Sequence, residues 1–424
     1  MSPHKAKLFL RYKPCQLARW SITLTALALC SACGGGSAGQ AAGPTLTILT
    51  QPASITAAVG SPIAFSVAAS GTAPLSYQWK RNGADIAGAT SASLTFSPGL
   101  SDTRTKYSVN VGHAGGALTS SEATLFVTGI GVFAGKPGER GNVDGPGPTA
   151  RFNGPYGLAT DPAGNIVVVD VENGALRQLT PQGQVSTIAA AAGLPHFGVA
   201  VDPAGNIYLA NMASVTRVSP AGSRSVLFSI DTSNSGRGYA YNIVSGIAAD
   251  AAGYVYAANF AGVRRVAPDG SFVMLAGSAT RASTNTGSVG VYGLVGDGKG
   301  GVYVTGGMVR HYGALGNATV LAGAFMPGTA DGAGPAASFS DSSMGAALDA
   351  KGNLYLTDTD NGTIRKVSPS GVVTTVAGTA GLNAVRTGAL PGALAYPAGL
   401  VMDSNGDLYV STDQAILKIQ LPPQ

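Results

Sequence analysis

Beyond residue 33 the sequence holds no cysteine. Cys15, Cys30 and Cys33 all fall in the leader, so no disulfide can staple the rest of the chain and packing alone must hold it. Tryptophan stops at Trp79, the other being Trp20, and charged residues make up only 11% of 424 positions. Acid is missing altogether from residues 1–33, which carry Lys5, Lys7, Arg11, Lys13 and Arg19. Taking those five from 26 basic residues leaves 21, against 21 acidic ones, so the remaining chain is neutral and the overall charge of +5 belongs to the leader. The basic footprint that nucleic-acid binding needs is therefore missing. After residue 128 only His196 and His311 remain, too few to supply the three or four ligands of an ordinary metal site. Patterns such as H-E-x-x-H, Cys-x-x-Cys and the EF-hand loop do not occur. Two glycine-rich matches lie in the wrong context: "GDGKGG" (296–301) sits in a hairpin register, and "GGSAG" (35–39) in a low-complexity stretch with no strand to form a nucleophile elbow.

What is abundant is glycine, 61 residues, with 24 prolines and a hydrophobic content of 45%. That profile belongs to an all-β chain in which Gly and Pro punctuate many short strands. The leader is a separate matter. Its basic start is followed by "WSITLTALALCSAC" (20–33), an apolar run too short to span a bilayer, and then by the flexible stretch "GGGSAGQAAG" (34–43). "CSAC" resembles a bacterial lipobox, with Ser31 and Ala32 in the small positions before Cys33 and Cys30 where that motif prefers Leu. The resemblance implies a signal peptide over 1–33 ending at a lipidated Cys33, a linker over 34–44, and, with Gly34 rather than Asp after the cysteine, an outer-membrane lipoprotein.

Residues 45–128 alternate short apolar runs with turn signals, as in "SPIAFSVAAS", "LSYQWKRNGADI" and "KYSVNV", which predicts a β-sandwich. "YQW" (77–79) before "RNG" (81–83) puts Trp79 on a central strand ahead of an Asn-Gly turn. This segment resembles an immunoglobulin-like domain. The likeness implies Trp79 as the core tryptophan, Tyr107 with Asp102 as a tyrosine corner, and Val67 and Val109 where that family has cysteines.

From 129 to 424 one unit recurs. "DPAGNIVVVD" (161–170), "DPAGNIYLAN" (202–211), "DAAGYVYAAN" (250–259), "DGKGGVYVTG" (297–306), "DAKGNLYLTD" (349–358) and "DSNGDLYVST" (403–412) share an apolar run before the Asp, an Asp-x-x-Gly turn and a β-branched run after it. Further strand patterns follow, such as "TIRKVSP" and "VVTTVAG". Four strands per unit at this period predict the blades of a β-propeller, each unable to bury both faces alone and so stacked in a ring. The segments 152–188 and 352–378, with lead-ins "DGPGPTARF" and "DGAGPAASF", resemble NHL repeats, which implies a six-bladed propeller. The last unit ends at "AILKIQLPPQ" without a fourth strand, and "GVFAG" (131–135) resembles the missing one, so the ring is expected to close with it.

Within this frame the repeated aspartates read as turn formers, and Arg177, Arg264, Arg310 and Arg365, in one third-strand register, read as structural side chains rather than an anion-binding ring. His311 reads as packing between blades. Candidate binding residues lie just before each blade's first strand, where the repeat departs from its own pattern: Tyr156, Phe197, Tyr292 and Met344, with His196 beside Phe197 and the acceptors Asp170 and Asp358 in the adjoining loops. The expected function is a monomeric, lipid-anchored envelope protein whose propeller binds a protein or glycan, with no cofactor and no metal. The competing class is a propeller enzyme like the lactonases or streptogramin-type lyases with a metal at the channel mouth, toward which His196 is the residue on offer.

If Cys33 is lipidated, the mature N-terminus carries a diacylglyceryl group and Cys33→Ala releases the protein from membranes. Mass spectrometry of the mature chain and fractionation of the variant check this; an unmodified N-terminus at Gly34 contradicts it.

Overall fold

The computed structural model describes residues 45–190, 198–211, 214–229, 244, 246–259, 262–276, 293–324 and 326–423. The described residues all belong to one compact unit, Pro44–Gln424. Among the described residues the structure is all-β, with helix confined to single 3-10 turns such as Leu100–Asp102 and Val171–Asn173.

In the region 45–128, Ser76–Arg81 pairs antiparallel with Thr105–His113, which pairs in turn with the first residues of Ala123–Gly135. Ile63–Ser66 pairs separately with Ser93–Phe96. Side chains from both sets meet in one core of Phe65, Trp79, Tyr107, Val109 and Leu125. Trp79 is fully buried, and its indole N–H donates to the Ser91 carbonyl at 3.0 Å, as a buried tryptophan requires. The Asp102 carboxylate accepts from the Gly99 N–H at 2.8 Å and from Arg81, and the Tyr107 ring stacks on Phe65 at 4.8 Å.

After residue 135 the chain builds a propeller arrangement of small sheets. Five sheets follow one another, each containing four antiparallel strands in sequence order; their innermost strands are Pro155–Thr160, Gly198–Val201, Gly246–Ala249, Gly293–Gly296 and Ala346–Leu348. The first and fifth gain a short outer fifth strand from the lead-in segment, Gly145–Pro146 and Gly332–Ala333. The strands Leu400–Met402, Leu408–Ser411 and Ala415–Gln420 come last, and Ala415–Gln420 pairs antiparallel with 129–135.

The Asp-x-x-Gly turns explain why the hairpins repeat. The Asp161 Oδ1 accepts the Ala163 and Asn165 amides at 2.9 and 2.8 Å, while Gly164 takes a φ of 82°. Asp202, Asp250, Asp297, Asp349 and Asp403 cap their turns in the same way. A second recurrence is a bulge. Opposite the third strand of each of the five sheets, the outer strand carries one unpaired residue: Ile188, Leu227, Leu275, Leu321 or Val376. In the pairing of 129–135 with Ala415–Gln420, Phe133 stands unpaired at the same place.

Apolar seams hold neighbouring sheets together. Val167, Val169 and Leu176 of the first sheet meet Val199 and Leu209 of the second, and corresponding seams continue around to the fifth. Tyr355 and Ile364 of the fifth then pack on Leu400, Leu408 and Leu417, and Val401, Tyr409 and Ile416 pack on Leu158, Ile166 and Val168 of the first. Strands facing a neighbour on both sides are apolar on both faces, which is why Ile166–Asp170 and Leu354–Asp358 are buried throughout.

One strand joins the two regions. Ala123–Gly135 runs 13 residues without a break, paired with Thr105–His113 at one end and Ala415–Gln420 at the other. At the junction the Arg104 guanidinium bonds both oxygens of the Asp407 carboxylate at 2.8 and 3.0 Å and the Asn405 carbonyl at 2.8 Å. The bond to Asp407 raises the Arg104 pKa further above its ordinary value, against the burial that opposes it.

Ile130 lies on this shared strand, fully buried among Leu394, Leu417 and Ile419. Ile130→Ala is expected to lower stability by about 2–5 kcal/mol through lost burial and the cavity left behind. Urea unfolding checks it; a midpoint equal to the parent's would mean that the strand does not hold the ring shut.

Candidate ligand-binding site

The five innermost strands and Leu400–Met402 surround a central channel of about 220 Å³, lined by Leu158, Val199, Ile247, Leu294, Ala346, Leu400 and their neighbours along each strand. The lining side chains are aliphatic apart from Thr160 and Met402, with backbone polar atoms between them. Toward the loop end the channel narrows to a cavity of about 60 Å³ whose wall includes Tyr156, Met344 and the glycines 157, 198, 246, 345 and 399. Those glycines open each innermost strand where backbones converge. A Cβ on Gly345 would lie 2.5 Å from the Ala398 carbonyl oxygen, and one on Gly399 would lie 2.3 Å from the Tyr156 carbonyl oxygen.

Tyr156 and Met344, 188 residues apart in sequence, meet at this mouth, the tyrosine hydroxyl 2.6 Å from the Met344 sulfur. The Tyr156 backbone is tied across the ring as well, its carbonyl accepting the Gly399 N–H at 3.0 Å and the Ser411 hydroxyl at 2.6 Å. His196, Phe197 and Tyr292 precede the innermost strands of the second and fourth sheets and lie outside the described residues, as does Cys33.

Asp170 and Asp358 belong to the layer beneath. Both are fully buried at the ends of second strands. Asp170 accepts the Asn153 N–H, the Asn173 amide and the Arg177 guanidinium, each at 2.8 Å. Arg177 continues to Asp144 at 2.6 Å, and Asp144 also takes the Thr187 N–H at 2.9 Å. The fifth sheet repeats the arrangement: Asp358 holds the Ser340 N–H, Asn361 and Arg365, and Arg365 reaches Asp331, which holds the Thr375 N–H. The lead-in Asp and the third-strand Arg of the repeat thus form one buried relay with the loop Asp. Burial pushes the Asp170 carboxyl above its ordinary pKa despite its donors. Half-exposed Asp144 and Asp331 are also penalised by burial, but the Thr187 or Thr375 amide and the arginine outweigh this and hold them low. Sequence reasoning had Asp170 and Asp358 as open acceptors. Their oxygens are instead occupied by the fold, and their contribution to the loop face is to fix its shape.

The repeated arginines divide accordingly. Arg177 and Arg365 are buried bridges stacked over Phe152 and Phe339, whereas Arg264 lies between the Phe228 and Phe272 rings. His311, expected between blades, bonds the Asp297 turn of its own sheet at 2.8 Å and stacks on Tyr303. In that position the second and third sheets use the hydroxyls of Tyr208 and Tyr256 on Asp202 and Asp250. Burial and the adjacent aspartate push Tyr208 up to about 12. Among the described residues no group of three or more His, Cys, Asp or Glu could hold a metal ion, and no helix is long and apolar enough to cross a membrane.

One residue that sequence reasoning passed over stands on the same face. Tyr396, just ahead of the last innermost strand, is 48% exposed and holds a left-handed φ of 43°, its hydroxyl accepting from the Asn383 amide at 3.1 Å. It sits two positions before the register of Tyr156 and Met344, which is why comparing blade starts does not find it.

No protein-family model and no curated protein matches the chain. Its fold is shared with solved structures. An auxiliary nutrient binding protein from Bacteroides ovatus is 16% identical, with 87% of this chain and 96% of that one covered at a TM-score of 0.61. A protein of unknown function from Bacteroides thetaiotaomicron is 17% identical over 89% and 98% at 0.59, and an auxiliary nutrient binding protein from the same organism 15% identical over 88% and 97% at 0.56. At these identities the likeness is one of fold.

Removing Arg365 leaves the Asp358 charge buried without its cation, so Arg365→Leu is expected to cost about 3–5 kcal/mol. Chemical denaturation checks the magnitude; a loss below about 1 kcal/mol would show that the relay is dispensable.

Proposed function

We propose that this chain is an exported lipoprotein, anchored through Cys33 to the outer membrane, in which an immunoglobulin-like spacer (45–128) carries a six-bladed NHL-type propeller (129–424) that captures a protein or glycan ligand on its loop face. The six-blade reading draws on the bulge register that 129–135 shares with the five outer strands and on the apolar seam between the last strands and the first sheet. The sandwich reading draws on the buried Trp79 with Val67 and Val109 around it.

The observation that carries the binding role is the meeting of Tyr156 and Met344 at the mouth of an aliphatic channel. A concave opening with aromatic and thioether side chains, held by the buried Asp–Arg relays below, is a rigid platform of the kind that anchors ligands. Phe197, His196 and Tyr292 complete the proposed rim, and exposed Tyr396 extends it. Two of the fold neighbours are named auxiliary nutrient binding proteins, a name consistent with a capture role for this face. Among the described residues, the side chains lining the channel offer no imidazole, carboxylate or thiolate to hold a metal, and no catalytic step is derived for it.

The test is crosslinked capture from envelope preparations. Tyr156→Ala and Tyr292→Ala are each expected to weaken capture by about 2 kcal/mol, roughly 30-fold, with the melting temperature unchanged. Normal capture by both variants, together with loss on substitution in residues 45–128, would move the recognition surface to the N-terminal region.

A further inference from the structure

On the face that carries the hairpin turns, a cavity of about 520 Å³ opens between the first sheet and the last strands, within the range of small-molecule sites. Its floor is apolar. Ile166 and Leu179 come from the first sheet and Met402 from the last strands, while Phe133 and Tyr409 meet edge to face with ring centres 4.9 Å apart. Phe133 is the residue left unpaired by the bulge, a place that is aliphatic in each of the five sheets and aromatic only here. The lining holds two carboxylates, Asp161 from one wall and Asp403 from the other, and no cationic side chain.

The repeat shows why negative charge is left over. From the second sheet to the last strands, a tyrosine on the second strand stands opposite an Arg, His or Lys on the third, as Tyr208 does Arg217 and Tyr409 does Lys418. The first sheet departs from this, with Val167 opposite Gln178. Gln178 reaches Asp161 at 3.1 Å as a neutral amide, and the other donors to Asp161 are the Ala163 and Asn165 N–H groups and the Asn165 side chain. Such donors favour the ionised carboxylate and leave its charge in place. On the other wall the Lys418 ammonium, 5.0 Å from the Tyr409 ring centre, lies 3.0 Å from Asp407 and 4.0 Å from Asp403, and Arg104 binds Asp407. Three carboxylates, Asp161, Asp403 and Asp407, thus stand against two cations, an excess of one negative charge. The adjoining groove toward the N-terminal region shares Met402 to Asn405 with this cavity. It adds Asp349 and Lys351, one of each sign, and leaves the balance unchanged.

We infer that this cavity binds a small organic cation with an apolar body, an arylalkyl- or alkylammonium, whose hydrocarbon lies along Phe133, Leu179 and Met402 and whose ammonium is held by the excess negative charge at Asp161 and Asp403. An anion of the same shape meets two carboxylates in the lining and is disfavoured there. The site is separate from the channel mouth and does not depend on the proposed capture role. Its two walls belong to the first sheet and to the strands that close the ring, so a bound ligand is expected to stiffen the closure.

The probes are 3-phenylpropylamine, its uncharged counterpart 3-phenylpropanol and the acid 3-phenylpropionate, titrated by calorimetry into the full chain at neutral pH. Saturable one-to-one binding of the amine is expected, with the alcohol about fivefold weaker, the scale of one partly exposed ion pair, and the acid weaker still. Gln178→Lys gives the first sheet the cation that the other hairpins carry, beside Asp161 and outside the lining. It is expected to weaken the amine about fivefold and leave the alcohol unchanged. Ala163→Trp, an exposed turn position in the lining, is expected to abolish binding of both at an unchanged melting temperature. Equal binding of amine and alcohol, full amine binding by Gln178→Lys, binding retained by Ala163→Trp, or no saturable binding in the millimolar range would each overturn the assignment.

Discussion

The strand Ala123–Gly135 is the constraint on which the rest depends. Its first residues complete the N-terminal sheet and its last residues cover the edge of Ala415–Gln420. A ring of stacked sheets is stable only if its first and last members are joined, since a free sheet edge exposes a row of unpaired amides and carbonyls. Here the joining strand comes from before the first sheet, and Gly135 lets the chain turn away at once: its φ is 84°, and a Cβ would stand 2.4 Å from the Gln414 carbonyl oxygen. Because the same strand belongs to both regions, no flexible linker separates them, and Arg104 on Asp407 and Asn405 adds a second attachment beside it. Two regions that share a strand in this way are fixed in orientation as well as in distance.

The buried charge is distributed with a pattern that follows from the closure. The relays Asp144–Arg177–Asp170 and Asp331–Arg365–Asp358 lie in the first and fifth sheets, the two that flank the last strands. In the second sheet the equivalent positions are Asn211 and Thr216, and in the third Arg264 is set between aromatic rings. A buried ion pair contributes little net stability, because desolvation offsets its attraction, but it tolerates few alternative arrangements. Placed on either side of the closure, the relays specify where the lead-in segments add a fifth strand and how the loops above them lie. They favour one register over others at the point where a misplaced edge would open the ring.

This division of labour bears on the site. The channel's side chains are mostly aliphatic and the backbones near its mouth are so close that glycine is required there, so the larger polar and aromatic side chains of this face stand on the loops above. The lead-in loops of the flanking sheets are tied down by the relays, and Tyr156, Met344 and Tyr396 all belong to that sector or its neighbour. The face with the hairpin turns is different in kind. Its aspartates are consumed by their own turns, and it meets the N-terminal region through a groove of mixed polarity.

Much of the architecture was legible in the residues themselves. The Asp-x-x-Gly turns, the β-branched runs after them and the four-strand period are local features, set by side chains that bond within four residues or alternate along one strand, and the observed hairpins follow them one for one. The missing fourth strand of the last unit and its counterpart before the first were legible for the same reason, since a repeat makes an omission visible. What the candidate site consists of was only half legible. Register pointed to Tyr156 and Met344, but their contact across 188 residues exists only because the ring closes. Register also pointed to Asp170 and Asp358 as acceptors, and there the tertiary structure decided otherwise: each carboxylate lies within reach of an arginine on the next strand and of amides from the lead-in segment, and a buried carboxylate must take such donors. Tyr396 and the junction groove had no sequence signal, the first because its exposure comes from a strained turn outside the repeat, the second because its walls come from segments some 300 residues apart. Local pattern determined the blades; which side chains remain free to meet a ligand was settled by the donors that closure brought to each of them.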